Sequence, residues 1–183
     1  MYLISIYFDD KTNKVLQGHM DAVARVTGND FMLAGDVPPH ITVGAFETRE
    51  ESLAREVFDK VAAGIAPDRV SLVSVGCFMP SVIYVAPVLN EYLQTLSESV
   101  QKELYKALNQ ESDIRIDEHY KPYSWFPHVT LGKKLSAEQL QSAFSTMLKR
   151  FSLINGEVVK IGLARTNPFC NLCEVSLKKC KVF

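Results

Sequence analysis

The sequence contains no apolar run long enough to cross a membrane. Its 183 residues are 47% hydrophobic, which is enough for a sizeable core. No stretch of about 18 consecutive apolar residues occurs, so we expect no membrane span. The first ten residues also lack the basic leader and the small-residue cleavage site of a signal peptide. We therefore expect a cytoplasmic protein with no membrane partner.

The sequence also lacks a strong net charge, and this argues against one class of partner. The formal net charge is −1, whereas a surface that grips long duplex nucleic acid needs many basic residues. The charge is uneven, because residues 1–90 carry 7 basic and 11 acidic side chains and residues 91–183 carry 13 and 10. The second half can offer a modest positive field. We expect a monomer that acts on a small phosphorylated nucleotide or an RNA end, and not on a duplex.

Cysteines are few, and their spacing does not complete a metal site. Cys170 and Cys173 have the spacing of half a zinc site, with Cys180 nearby, and the fourth cysteine is Cys77. A structural zinc site usually takes two close pairs of ligands, and the sequence offers no second pair. We expect reduced cysteines in or beside a C-terminal strand. We expect neither a metal nor another cofactor.

Two short segments, in contrast, nearly repeat each other. Residues 39–44 read Pro-His-Ile-Thr-Val-Gly, and residues 127–132 read Pro-His-Val-Thr-Leu-Gly, 88 positions later. Alternate side chains of a β-strand share a face. Each segment therefore presents one imidazole and one hydroxyl on the same face, namely His40 with Thr42 and His128 with Thr130.

The order of predicted elements repeats with the motifs. Apolar periodicity predicts a strand, a helix, a histidine strand, a helix and a strand in each half of the chain. Thr48 and Ser136 are predicted to cap the helices that follow the two histidine strands. No Pro/Gly/Ser-rich linker separates the halves, so residues 1–183 are predicted to form one α+β domain. Its two pseudo-symmetric lobes span approximately residues 1–80 and 81–183, can exchange strands, and leave a groove in which His40 and His128 face each other.

This arrangement suits phosphoester chemistry without a metal. Hydrolysis of a cyclic phosphodiester needs one group that activates water and another that protonates the departing oxygen. Imidazole performs both roles near neutral pH, since its unperturbed pKa is about 6.5. Threonine hydroxyls can donate hydrogen bonds to the nonbridging oxygens. The sequence lacks both a phosphate-binding Gly-x-x-x-x-Gly-Lys-Ser/Thr loop and a Gly-x-Ser-x-Gly elbow, so it signals neither of those chemistries.

Here the motifs support a family resemblance. Two His-x-Thr motifs, each followed by an aliphatic residue and a glycine in a duplicated chain, resemble the two-histidine (2H) phosphoesterase superfamily. The most similar branch is that of the 2′-5′ RNA ligase-like proteins and cyclic phosphodiesterases. The resemblance implies antiparallel sheets around a central groove and metal-independent conversion of 2′,3′-cyclic phosphates to 2′-phosphates, or handling of 2′-5′ linkages. It implies catalytic roles for His40, Thr42, His128 and Thr130, and the substrate's orientation decides which histidine is the acid.

The residues around the second motif are candidates for substrate binding. Aromatic side chains before a motif can stack on a base, and basic ones beside it can meet phosphate. On this basis we predict substrate contacts by Tyr123, Trp125 and Lys133. We also predict that Arg165, at the predicted end of a later strand and next to the loop 166–169, helps to neutralise phosphate. Phe126 is predicted instead to pin its loop to the core. His19 and His119 lack the motif context, so we predict both at the surface.

Two other functions remain open at this point. A binding module could use the same groove to recognise a nucleotide or an RNA end without turnover. A structural or partner-binding domain could carry the motifs as remnants, since threonine, proline and glycine also have structural uses in strands. Catalysis explains better why polar residues share the face of both motifs, because burying them unpaired costs free energy.

Overall fold

A computed structural model describes residues 1–110 and 113–178. Cys180, one of the cysteines considered above, lies outside the described residues. The strands and helices follow one another in this order: β1 (Tyr2–Phe8), α1 (Asp10–Thr27), α2 (Phe31–Ala34), β2 (Ile41–Glu47), α3 (Glu51–Ala62), β3 (Asp68–Phe78), β4 (Val82–Pro87), α4 (Glu91–Gln110), β5 (Arg115–Ile116), β6 (Val129–Gly132), α5 (Ala137–Arg150), β7 (Ile154–Arg165) and β8 (Cys170–Ser176). A 3-10 turn at Glu118–Tyr120 precedes β6.

The strands form an antiparallel sheet in the order β5-β2-β1-β7-β3-β4-β6. The long strand β7 lies at its centre. Its first residues, 154–158, pair with β3, whereas residues 158–165 pair with β1. The strand β8 pairs with residues 160–165 of β7, which follow Val158, the last residue of β7 that pairs with β3. Apart from β5 and β8, the order reads alike from both ends, because β2-β1-β7 corresponds to β6-β4-β3.

The helices cross between the halves of the chain. Helix α1 contacts α5 and strand β6, both from the second half, and α4 contacts α3 and strand β2, both from the first. Asp9 caps α1 by accepting a hydrogen bond from the Thr12 amide at 3.0 Å, and Gly28 ends it in the left-handed conformation with φ 65°. These features confirm the predicted duplicated α+β fold with antiparallel pairing.

Both motifs carry the same irregularity in their strands. In β2, Thr42 pairs with Ser5 and Gly44 with Ile4, so Val43 is an extra residue that forms a β-bulge. In β6 the same pattern makes Leu131 the extra residue. Both bulged side chains are buried in the core, at 0% and 1% exposure. The residues between the histidines, threonines and glycines of the motifs are therefore structural.

The motif glycines let the crossing helices approach the sheet. A Cβ atom on Gly44 would lie 2.8 Å from Cγ1 of Val100 in α4. On Gly132 it would lie 2.9 Å from Cγ1 of Val23 in α1. Since Cβ atoms do not approach other carbon atoms so closely, only glycine fits at either position without a shift of the helix. Each motif therefore ends in glycine because a helix from the other half of the chain packs against it, α4 against Gly44 and α1 against Gly132.

Three local predictions can be compared with the structure. Ser136 does cap α5, in a capping box with Gln139. The prediction that Thr48 caps α3 is wrong, since the N-cap is Glu50 and the Thr48 hydroxyl instead donates to Asp113 at 2.8 Å. The prediction of a surface position is confirmed for His119 and wrong for His19, which is 6% exposed beneath α5 and lies 6.2 Å from the Phe151 ring.

The two described C-terminal cysteines lie where the sequence predicts. Cys170 and Cys173 are free thiols in β8, the first exposed and the second half-buried. None of the helices in residues 1–110 and 113–178 combines the length and the hydropathy that a membrane crossing requires.

Candidate active site

The four motif side chains line one open cavity of about 550 Å³. His40 and Thr42 reach it from the β2 side, and His128 and Thr130 from the β6 side. The remaining wall comes from five places in the chain: Leu3 of β1, the segment around α2, the turn before β6, the residues just after β6, and the connection between β7 and β8. The structure therefore brings together the two halves of the predicted site.

Each imidazole is held in the same way by the backbone of its own motif. Nδ1 of His40 lies 2.7 Å from the carbonyl oxygen of Pro38, and Nδ1 of His128 lies 2.9 Å from that of Phe126. A carbonyl oxygen can only accept, so Nδ1 must carry the proton in both rings. Nε2 is then the nitrogen that exchanges protons in each histidine. The two halves thus present the same tautomer.

Burial in the site favours the neutral form of both imidazoles. It lowers the pKa of His40 below its ordinary value of 6.5, and the nearby charge of His128 lowers that pKa further, whereas the hydrogen bond to Pro38 opposes the shift. Burial likewise lowers the pKa of His128, opposed by the hydrogen bond to Phe126. Both rings retain partial contact with solvent. At pH 7 the neutral form of both imidazoles therefore predominates.

The motif threonines have different neighbours. The Thr42 hydroxyl lies 3.3 Å from that of Ser5 and forms a hydrogen bond with the Tyr120 hydroxyl. The indole Nε1 of Trp125 donates to the Thr42 carbonyl oxygen at 2.9 Å. Hydrogen bonds from three elements thus hold Thr42 in place. In the second half the residue paired with Thr130 is Tyr84, at the place that Ser5 occupies in the first.

The described part of the cavity wall carries positive charge and no carboxylate. Lys133 and Lys134, which follow the second motif, both line the cavity, and none of the described lining residues is acidic. The ammonium group of Lys134 lies 4.2 Å from the centre of the Phe31 ring, within the range of a cation–π contact. Two lysines and two titratable imidazoles make the cavity suited to an anion.

Three predicted substrate-binding residues do not line this cavity. Tyr123 and Trp125 line a separate pocket of about 80 Å³, where Tyr123 is 93% exposed and Trp125 9%. Arg165 lies at the end of β7, beside the cavity-lining connection to β8, with its guanidinium 3.8 Å from Glu51. Contact of these residues with a substrate stays a prediction. The expected role of Phe126 is wrong: Phe126 is 48% exposed, and Trp125 pins the loop to the core instead.

Several residues that line the cavity are not predicted by the sequence pattern. Phe31 and Met32 belong to the short helix α2, and Tyr120 to the turn before β6. Their segments have no strong periodicity and no motif, so nothing local marks them as part of the site. Lys134 could have been noticed, because it adjoins Lys133. A second cavity, of about 540 Å³, lies where β3 and β7 begin and holds none of the motif residues.

Comparison with known proteins agrees with the fold and gives the family. The family model described as the 2′-5′ RNA ligase superfamily matches residues 15–167. Among solved structures, E. coli LigT complexed with 3′-AMP is similar, with 10% sequence identity, a TM-score of 0.63, and coverage of 97% of this chain and 98% of that one. TT0787 of Thermus thermophilus is 20% identical with a TM-score of 0.63, covering 96% and 97% of the two chains. No curated protein matches by sequence.

Proposed function

Because the chain belongs to the 2′-5′ RNA ligase superfamily, we propose that it is a phosphoesterase that uses its two His-x-Thr motifs without a metal ion. The proposed reaction is hydrolysis of 2′,3′-cyclic phosphates to 2′-phosphates, or cleavage of 2′-5′ phosphodiesters, in nucleotides or at RNA ends. E. coli LigT has been solved with 3′-AMP, with ATP and with phosphate, and these complexes support a small nucleotide ligand here.

One observation carries the proposal: two imidazoles of the same tautomer line one cavity. Each Nδ1 is engaged by a backbone carbonyl two residues earlier, at 2.7 Å for His40 and 2.9 Å for His128. Neither ring must rearrange before it exchanges a proton through Nε2. A binding site alone would gain little from fixing both tautomers, whereas acid–base catalysis needs that orientation.

In the proposed hydrolysis one imidazole acts as base and the other as acid. Neutral Nε2 of one histidine takes a proton from water while the water oxygen forms a bond to phosphorus. The P–O bond to the 3′ oxygen breaks, and protonated Nε2 of the other histidine gives that oxygen its proton. The product is a 2′-phosphate with a free 3′ hydroxyl. The two histidines have exchanged protonation states, and solvent restores them.

The other cavity residues would stabilise the charge that develops on phosphate. The hydroxyls of Thr42 and Thr130 can donate to the nonbridging oxygens, where a preorganised donor acts most strongly. Thr42 is the more rigid of the two by virtue of its bonds to Ser5, Tyr120 and Trp125. Lys133 and Lys134 add positive charge at the rim. We propose that Trp125 also positions Thr42, through its hydrogen bond to the Thr42 carbonyl oxygen.

The test is turnover of a 2′,3′-cyclic nucleotide in the presence of EDTA. We expect a 2′-phosphate product, and a loss of about 10²- to 10⁴-fold in kcat when His40 or His128 is replaced by alanine. His119→Ala is the matched control, because this histidine is exposed and lies outside the cavity. Loss of activity on metal removal, or activity that survives both motif substitutions, would refute the mechanism. Tight binding with no product over a long incubation would favour the binding module.

The pH profile gives a second test of the same site. Since burial lowers the pKa of both histidines below 6.5, kcat/KM should be bell-shaped with its maximum on the acidic side of 6.5. A cyclic phosphodiester stays singly charged over this range, so the enzyme's own groups set both limbs. A profile that rises steadily above neutral pH would contradict the two-histidine assignment.

A further inference from the structure

Three aromatic rings lie around His128 outside the cavity. They belong to Phe78 at the end of β3, Tyr84 in β4 and Phe126 before β6, and we call them the aromatic shelf. Their centroids lie 4.8, 5.5 and 6.3 Å from that of the His128 ring. None of the three lines the cavity, although His128 does. His128 therefore has the cavity on one side and the shelf on another.

Two rings of the shelf are open to solvent. Phe78 is 38% exposed and Phe126 48%, and the neighbouring Met79 is 76% exposed. The two phenylalanine rings meet edge to face, with centroids 5.7 Å apart and an angle of 79°. Single exposed apolar residues are common, but a contiguous exposed group beside a functional residue marks a binding surface.

Gly76 leaves the space that the Tyr84 ring of the aromatic shelf occupies. Tyr84 is only 9% exposed and lies 4.4 Å from Phe78, so it forms the floor on which the exposed rings rest. A Cβ atom on Gly76, the residue paired with Tyr84, would lie 2.5 Å from the Tyr84 hydroxyl oxygen. Any other residue at this position would push the tyrosine ring away from its neighbours.

Among the described residues, no such surface adjoins His40 in the other half of the site. Ser5 occupies the place of Tyr84, and the aromatic neighbour of His40 is Tyr7, which is 6% exposed and 6.2 Å away. Burial raises the pKa of that tyrosine well above its usual range, as expected for a core residue. The aromatic neighbours of the two motif histidines therefore differ, because His128 adjoins two exposed rings and His40 adjoins a buried one.

We propose that the aromatic shelf binds the base of a second nucleoside, so that the preferred substrate is a phosphodiester joining two nucleosides and not an isolated cyclic mononucleotide. This inference rests on the proposed function. A phosphate between His40 and His128 has an ester oxygen on either side. One nucleoside occupies the cavity, and the other continues past His128 onto the shelf, which is continuous with the site through that ring.

The chemistry of the shelf fits a base better than a phosphate or a sugar. It contains no charged side chain, and its exposed groups are aromatic faces and edges. Every nucleobase has a flat π-face, so stacking on such rings tolerates different bases. The shelf therefore predicts a requirement for a second base with little preference for its identity.

The test compares two probes that differ only in that base. One is a 2′-5′-linked dinucleoside monophosphate, and the other is the same diester with an abasic second ribose. We expect the wild-type protein to show the lower KM for the complete dinucleoside. Phe126→Leu keeps apolar bulk but loses the ring, so it should raise that KM by about 5- to 150-fold relative to the KM of the abasic probe. Phe126→Tyr should restore the wild-type KM.

Two further measurements separate this inference from the proposed function. Leu148→Ala, which removes an exposed side chain of α5 (71% exposed), is the control and should change neither KM. Calorimetric Kd values for both probes in the His40→Asn variant test the shelf without turnover. Equal affinity for the two probes, or no effect of Phe126→Leu, overturns the shelf even if both diesters are cleaved. A preference for the complete dinucleoside in binding alone supports the shelf while the catalytic proposal fails.

Discussion

Replacing the motif glycine Gly132 by alanine should separate the packing role of the motif from its chemistry. The new Cβ would lie 2.9 Å from Cγ1 of Val23 and 3.4 Å from side-chain atoms of Ile83 and Leu135. A valine in a helix has one strongly preferred rotamer, so its methyl group cannot swing away. Helix α1 must shift instead. Overpacking of this kind costs about 1–3 kcal/mol of unfolding free energy.

The assay is urea unfolding of the variant and of two companions. Gly18→Ala is the control, because this residue lies inside α1 and an added Cβ would meet nothing within 4 Å. It should stabilise the protein by about 0.5–1 kcal/mol. In a Val23→Ala background the cost of Gly132→Ala should fall by at least about 0.5 kcal/mol, as expected for directly coupled residues. Equal m-values would show that the denatured state is unchanged.

The outcome can refute this reasoning in two ways. If Gly132→Ala is neutral or stabilising, as Gly18→Ala is expected to be, the glycine is not required by the approach of α1. If Val23→Ala leaves the cost unchanged, the strain lies elsewhere. Gly44→Ala, which would place its Cβ 2.8 Å from Val100, should behave like Gly132→Ala if the two halves are built alike.

Three further substitutions test other parts of the site and the core. Trp125→Phe keeps an aromatic ring but loses the hydrogen bond to the Thr42 carbonyl. We expect a lower kcat with little change in KM, together with a loss of about 0.5–1.5 kcal/mol in stability. An unchanged kcat would refute the positioning role. Burial lowers the pKa of His19 below 6.5, so the unfolded chain binds the proton more readily and stability should fall as the pH drops below that value. In thermal unfolding, His19→Leu should make stability depend less on pH over this range. The same pH dependence in the variant and the wild type would contradict this prediction. Lys133→Met should raise KM by up to about fivefold at low salt, and the difference should shrink at about 0.5 M salt, whereas a salt-independent change would exclude a charge effect.

The motifs could be found in the sequence because the residues that orient each histidine lie within a few positions of it. His40 and His128 orient themselves through the carbonyl two residues earlier, and the bulge and glycine follow within four positions. The buried position of His19 was also within reach. It lies three residues after Leu16 and four before Val23, which are both core residues of α1, so helical periodicity places it on the buried face.

The remaining parts of the site depend on contacts between distant segments. Thr48 has the sequence context of a helix cap, but the carboxylate of Asp113, 65 residues away, binds its hydroxyl. The exchange of Ser5 for Tyr84 becomes visible only when the strand pairings are known, because the two residues occupy corresponding places opposite Thr42 and Thr130. Local propensity carries no information about partners so remote in sequence.

The central position of β7 has a consequence for the order in which the protein folds during its synthesis on the ribosome. Among the described strands, every hydrogen-bonded pairing between the β1–β2 side and the β3–β4 side of the sheet passes through residues 154–165. A nascent chain that has not yet released this strand holds both histidines, but its two partial sheets are not joined by a ladder. The cavity is therefore completed late in synthesis, because β7 joins the two sides of the sheet and the connection that follows β7 forms part of the cavity wall.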